Sequence, residues 1–388
     1  MSNQEDSSPE FMVREALIDL EDFDKLNDEE IEIQDEGINE PFDPTQIRVD
    51  TRTLTIDLVL SRIQHQELDL TPDFQRKDDI WNDDVKSRLI ESILIRIPLP
   101  AFYIDATDDE KWLIIDGLQR LTALKKFIID KSLKLTGLQY LEDLNNKNYD
   151  EIPRKYQRRL SETQLILYVI GEGTPPEVKY NIFRRINTGG TPLSPQEIRH
   201  SLNQGKATKL LLKLADSPEF NRVTNLSKRK KRRMIDREFV LGFLAFTIQD
   251  YRAYEKYKSR DGFLVNAMTQ VNKHLSDNEI EKLEYDFKKA MNAAYDIFGE
   301  KAFRKISSNS ARKYPLNEAL FEVWSSSLGK SSDRELKILM QKKEMLIEKF
   351  SSLIDNNPDF LKSISQASQK IETRFQTIEN LIREVLNA

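Results

Sequence analysis

Asp116, Gly117, Leu118, Gln119, Arg120, Leu121 and Thr122 follow one another where an apolar run gives way to a helical pattern. The chemistry that suits such a junction is anion binding. A helix start leaves backbone N–H groups unpaired at the positive end of the macrodipole, so a phosphate there is held by geometry as well as charge. Gly117 would let the backbone come close, Arg120 would supply a bidentate fork and Gln119 a neutral amide donor. The same residues also fit a structural role, with Asp116 capping the helix, Gly117 making the turn and Arg120 solvated at the surface. The box alone leaves both readings open.

Two further segments could carry function. Asn187, Thr188, Gly189 and Gly190 form a second glycine loop behind Arg184 and Arg185. It could close over a nucleotide or meet a DNA backbone, or it could be a helix C-cap with a left-handed glycine before the next helix. Lys228, Arg229, Lys230, Lys231, Arg232 and Arg233 are six consecutive cations. Such a run binds polyanions through counterion release without sequence information, and the alternative is a solvated loop or helix face. It has no interleaved aromatic residues, so base stacking is not indicated there. Cysteine is absent, and His65, His200 and His274 are scattered. A thiolate zinc site, a thiol nucleophile and an H-E-x-x-H helix are therefore excluded.

The elements that must position these residues follow from pattern. Thr53 to Gln66 reads as a helix, and so does Asp83 to Ile95, with Val85, Leu89 and Ile93 and the row Ile90, Leu94 on one face, ended by Pro98 and Pro100. Ala101 to Asp105 and Lys111 to Ile115 read as a β-hairpin around Thr107 to Asp109, followed by a helix from Leu118 to Ile129 and a strand from Leu165 to Ile170. Pro175 to Ile186 is helical by period, and Ser194, Pro195 and Glu197 spell a capping box that starts another helix. The remainder is predominantly helical. It ends in one long amphipathic helix through Leu361, Ile364, Ala367, Ile371, Phe375, Ile378, Ile382 and Val385.

The chain has 388 residues, 39% hydrophobic and 32% charged, which is a globular composition with room for two or three cores. No apolar run approaches a bilayer span, so a cytoplasmic protein is expected. The net charge of −6 conceals an asymmetry: residues 1–50 hold 17 Asp or Glu against Arg14, Lys25 and Arg48, and the rest of the chain is mildly basic. An acidic leader on a basic body fits an anionic partner and a segment that competes for the same surface, or a solubilising tail. The expected organisation is a flexible acidic arm over 1–49, a small mixed α/β domain over 50–173 and a helical domain over 174–388. The fold class is α+β.

One ordered series of motifs spans roughly residues 50–330. Thr71-Pro72-Asp73-Phe74-Gln75-Arg76 is followed by Trp81, then by a helix ending Ile97-Pro98-Leu99-Pro100, then by the 116–122 box. Phe183-Arg184-Arg185-Ile186-Asn187-Thr188-Gly189-Gly190 and the Ser194 box come next, with Arg237-Glu238-Phe239 and Asn317-Glu318-Ala319-Leu320-Phe321 further on. This series resembles the N-terminal domain of GmrSD-type modification-dependent restriction systems, a branch of the ParB and sulfiredoxin superfamily. The resemblance implies a ParB/sulfiredoxin-like fold for 50–173 and a nucleotide site that takes ATP, GTP or CTP with Mg²⁺. Gly117, Gln119, Arg120 and Thr122 would face the phosphates, joined by Gln75, Arg76, Arg184, Asn187 and Gly190. Asp116, Gln119 and Arg120 would be catalytic, with Asp116 holding Mg²⁺ or orienting water. Leu118 departs from the family box, which carries Gln there, and this puts hydrolysis or base preference in question.

Larger relatives carry a His-Asn-His nuclease domain, for which the last 150 residues here offer only His274. The leading expectation is thus a nucleotide-binding, NTP-hydrolysing DNA-recognition component of a prokaryotic antiphage restriction system. Its partners would be DNA, a separate nuclease subunit and further copies of itself, with no membrane. A ParB-like DNA-binding regulator without turnover is the alternative. A self-sufficient nuclease built on Asp73, Asp78, Asp79 and Asp116 is a third.

Overall fold

The computed structural model describes residues 31–32, 48–70, 81–107, 110–172, 174, 178–180, 182–183, 194–257, 259–310, 312–365 and 370–388. Gln75, Arg76, Arg184, Asn187 and Gly190 lie outside the described residues, as do Asp73, Asp78, Asp79 and nearly all of the acidic arm. The chain divides into a unit of residues 42–193 and a unit of residues 194–388 with the first 41 residues.

The first unit is built on a mixed five-stranded sheet. In chain order it contains β1 (Val49–Thr55), α1 (Ile56–Gln64), β2 (Leu68–Asp69), α2 (Asp83–Leu94), β3 (Phe102–Asp105) and β4 (Trp112–Asp116). These are followed by α3 (Leu118–Leu124, continuing as a π-helical turn Lys125–Ile129), α4 (Arg154–Glu162) and β5 (Gln164–Ile170). The strand order is β1-β5-β3-β4-β2, with β5 parallel to β3 and antiparallel to β1, and β4 antiparallel to β3 and parallel to β2. The expected hairpin is therefore present.

Strand alternation puts Phe102, Ile104, Trp112, Ile114, Leu165 and Leu167 on one face, where they pack with Ile56, Val59, Ile90, Leu94, Leu121 and Phe127 of the helices. α1 and α2 begin where the sequence offers a side-chain cap. Thr55 accepts from the Leu58 N–H at 3.3 Å and Asn82 from the Val85 N–H at 2.9 Å. Glu91 of α2 is buried, and its carboxylate takes the N–H groups of Gln139, Tyr140 and Leu141 at 3.1, 2.7 and 2.8 Å. That single carboxylate fixes the loop behind α3.

The expected helix from Thr53 begins at Ile56 instead, because Val49–Thr55 is a sheet edge paired along its whole length with β5. Within the acidic leader, Ile31–Glu32 pairs in parallel with Leu316–Asn317 of the second unit.

The second unit is helical: α5 (Pro195–Leu202), α6 (Lys206–Ala215), α7 (Pro218–Thr224), α8 (Lys228–Arg232), α9 (Ile235–Ile248), α10 (Arg260–Lys273) and α11 (Asp277–Phe298). It continues with α12 (Glu318–Lys330), α13 (Asp333–Gln341), α14 (Lys343–Asn356), α15 (Pro358–Ser365) and α16 (Ile371–Asn387). α9 and α12 are buried on nearly every side, and Phe220, Phe239, Phe243, Phe287 and Phe321 meet there edge to face or tilted. The capping box at Ser194 forms as expected, with Glu197 reaching back to the Ser194 N–H at 2.6 Å.

The long C-terminal helix does not form as one piece. Lys370 adopts φ 58, a left-handed conformation that starts α16 separately from α15. The apolar positions nevertheless keep their roles, since Ile364, Ile371, Phe375, Ile378 and Val385 are all buried.

A buried ion network runs through this core. Glu322 of α12 is fully buried and receives Arg260 of α10 on one carboxylate oxygen and Arg374 of α16 on the other, the latter at 2.8 Å. Arg260 also pairs with Glu318 at 2.5 Å, and Arg374 donates to the Ser363 carbonyl at 3.0 Å. Nearby, Arg199 of α5 is clamped by Glu238 and Asp261, and its Nε donates to Gln196 at 3.0 Å.

Candidate functional site

Gly117 stands between β4 and α3 with φ 102, and a Cβ there would lie 2.3 Å from a Phe102 ring carbon. Only glycine satisfies both the backbone conformation and the close approach. The first bond of the helical ladder runs from the Leu121 N–H to the Gly117 carbonyl at 2.9 Å. The amides of Leu118, Gln119 and Arg120 therefore stand ahead of the ladder, at the positive end of the helix. Asp116 ends β4, and no side chain caps α3. The capping role open to Asp116 on sequence grounds is not the one it adopts.

Arg120 is neither solvated nor idle. Its guanidinium donates to the carbonyls of Pro100 and Ala101, the latter at 3.1 Å, and to Asp116 Oδ2 at 2.9 Å. It also lies 4.2 Å from the centroid of the Phe102 ring. Burial draws its pKa down, while the Asp116 charge and hydrogen bond push the other way. The fork that sequence reasoning assigned to phosphate is thus engaged with the segment entering β3.

Gln119 and Thr122 are three residues apart, so they share a face of α3. Both are half-buried, as is Leu118. Gln119 Oε1 is a buried atom with no hydrogen-bond partner among the described residues. A buried amide oxygen without a partner calls for an explanation, and rotation of the amide would present its N–H₂ there instead. Asp116 Oδ2 is taken by Arg120, while Oδ1 has no hydrogen bond among the described residues.

The site has neighbours that the sequence did not signal. Tyr103 of β3 is the register partner of both Asp116 in β4 and Tyr168 in β5. Its phenol pKa is raised by burial first, then by Tyr168 and Asp116. Beyond the other end of β3, Lys179 pairs with Asp105 at 3.1 Å and donates to the Thr107 hydroxyl at 2.7 Å. A polar cleft of about 530 Å³ opens there, lined among others by Asp50, Arg52, Thr107 and Glu172.

The stretch of sequence that contains this box has a counterpart among known families. Residues 56–203 match the family model of the GmrSD restriction endonuclease N-terminal domain. The chain carries a GmrSD-type N-terminal domain. That domain implies a restriction-system component. A comparison with curated proteins finds none that matches the chain. The GmrSD-type match contains the whole 116–122 box and ends with α5 and its capping box.

The basic run lies in the second unit. Lys228–Arg232 form α8, capped by Ser227, and Lys228, Arg229 and Arg232 are exposed. Lys231 and Arg233 also make contacts within this unit. Lys231 donates to Asn221 at 2.5 Å, Arg233 stands 3.6 Å from the buried Glu197, and the Arg233 carbonyl accepts from the Ser194 hydroxyl at 2.9 Å. Three of the six cations are thus exposed, while Lys231 reaches α7 and Arg233 braces the start of α5. Among the described residues, no group of three or more His, Asp or Glu could hold a metal ion, and no helix is long and apolar enough to cross a membrane.

Proposed function

We propose that the GmrSD-type domain binds a nucleoside triphosphate at residues 116–122 and hydrolyses it, and that the chain couples this to DNA recognition within a restriction system. The observation that carries the reading is the unpartnered Gln119 amide oxygen beside the three open amides of Leu118–Arg120. A phosphate would accept from the amides while a water bound to it donates to Gln119 Oε1, or, with the side-chain amide rotated, the Gln119 N–H₂ would donate to the phosphate directly. Arg120 acts as a positioning residue, holding Asp116 and the 100–101 backbone in place. Thr122 extends the phosphate-facing side of α3, and Gln75, Arg76, Arg184, Asn187 and Gly190 supply further phosphate ligands.

Mg²⁺ suits this donor set. It keeps most of its waters and takes one or two carboxylates together with the phosphates of ATP, GTP or CTP, so Asp116 Oδ1 would serve as its protein ligand. Bound there, the ion neutralises charge on the phosphate oxygens. DNA would meet Lys228, Arg229, Lys230 and Arg232 of α8 through its backbone, with Lys231 and Arg233 adding field from behind. A separate nuclease subunit would cut.

Titration of the full chain with Mg·ATP, Mg·GTP and Mg·CTP, alongside Gln119→Ala, tests the site. A lost hydrogen bond to a charged group costs about 1.5–3 kcal/mol, so the variant should bind at least tenfold more weakly. Unchanged affinity would remove Gln119 from the site. A second reading, a DNA-binding regulator without turnover, is favoured by the commitment of Asp116 Oδ2 to Arg120. In that case Asp116 serves only the fold.

A further inference from the structure

Thr51, Tyr168, Tyr103 and Asp116 are successive register partners across β1, β5, β3 and β4. Cross-strand partners share a face, so these four residues form one row on the side opposite Phe102, Ile104 and Leu167. That outer face is unevenly covered. Ile115 and Ile170 are buried and Lys179 reaches Asp105 at 3.1 Å, whereas Ile166 is 48% exposed and both tyrosines are partly open. The tyrosine rings lie 5.0 Å apart at 34° to each other, immediately beside the carboxylate that ends β4. Side-by-side aromatic rings can simply be a cross-strand pair that stabilises the sheet. Their position says more, because the row leads from the open half of the face to Asp116 and Gly117.

We propose that Tyr103 and Tyr168 form a base platform: the nucleobase of a nucleotide whose phosphates sit at residues 116–120 stacks on their open side. This rests on the phosphate site proposed above and adds the part of the ligand that site leaves undefined. From β4 to β5 is two inter-strand steps, about 10 Å, which suits the reach of a nucleotide from its phosphates to its base. Every base offers a π-face, and stacking on aromatic side chains is tolerant of base identity. The platform therefore selects nucleotides as a class and discriminates little among ATP, GTP and CTP.

The test compares Mg·ATP, Mg·CTP and Mg·tripolyphosphate by calorimetric titration of the full chain and of Tyr168→Ile, Tyr103→Ile and Tyr168→Phe. Isoleucine suits a strand but has no π-face, while phenylalanine keeps it. Wild type should bind both nucleotides about tenfold or more tightly than tripolyphosphate. The isoleucine variants should fall to the tripolyphosphate level without losing tripolyphosphate binding, and Tyr168→Phe should retain wild-type affinity. Equal binding of nucleotide and tripolyphosphate by wild type, a measurement independent of whether any variant folds, would overturn the platform and leave the phosphate site standing. Folded isoleucine variants with wild-type nucleotide affinity would do the same. Failure of wild type to bind any of the three would overturn both.

Discussion

Arg120 donates to Asp116 Oδ2 at 2.9 Å while the same guanidinium holds the carbonyls of Pro100 and Ala101. One side chain therefore ties the start of α3 to the backbone entering β3, and the spacing of the box depends on it. Removing it leaves two carbonyls and a carboxylate without their donor. Arg120→Ala should lower the stability of the chain by about 2–3 kcal/mol, read by denaturant unfolding. Arg120→Lys should recover only part of this, because an ammonium cannot fork. Full stability together with abolished nucleotide binding would instead make Arg120 a direct ligand.

The division of the basic run predicts two separable effects. Replacing Lys228, Arg229 and Arg232 with Ser should flatten the dependence of log DNA affinity on log salt, by about 0.9 for each phosphate that is no longer neutralised. Replacing Arg233 should instead act on folding, since it faces Glu197 at 3.6 Å behind the α5 cap. Salt titration of binding and thermal unfolding separate the two. An unchanged slope in the triple variant would rule out α8 as the DNA-binding element.

His200 is 2% exposed, and burial first, then the Arg237 charge, depress its pKa from 6.5 to about 3. The folded state therefore binds this proton less readily than the unfolded chain does. Its contribution to stability is fully present above pH 6.5 and is lost as pH falls toward 3. Measured as a difference from His200→Asn, wild-type stability should decline across that window. A flat difference would place His200 in a solvated or charge-paired environment.

Glu322 joins Arg260 and Arg374 with no exposure of its own. Breaking a buried ion pair by removing one partner typically costs about 3–5 kcal/mol, because the other charge is left uncompensated. Glu322→Ala takes the carboxylate from Arg374 and leaves Arg260 with Glu318, so a large loss of stability is expected, seen as a strongly lowered thermal transition. A melting temperature close to wild type would mean that water reaches the site.

What the sequence disclosed depends on whether a residue's role is local. The Ser194 capping box, the β3–β4 hairpin and the glycine before α3 are set by neighbours within a few residues, and all were readable. β1 was not, since its burial pattern is mostly exposed and only the pairing with β5 makes it a strand. α4 escaped for a similar reason: Leu160 is its one buried residue, so it has no apolar period. The functions of Arg120 and Glu322 escaped because their partners lie about 20 to 60 residues away. Tyr103 and Tyr168 gave no signal, because strand register, not spacing, brings them beside Asp116.

The central claim is turnover at the 116–122 box, and phosphate release measures it directly. Purified full chain should release phosphate from Mg·ATP, Mg·GTP or Mg·CTP, with a rate that changes when duplex DNA is added. Asp116→Asn, which keeps the shape of the side chain and one oxygen for Arg120, should lose far more of this rate than of its nucleotide affinity. Release by wild type no faster than by Asp116→Asn, with each of the three nucleotides and with DNA present, would contradict the account.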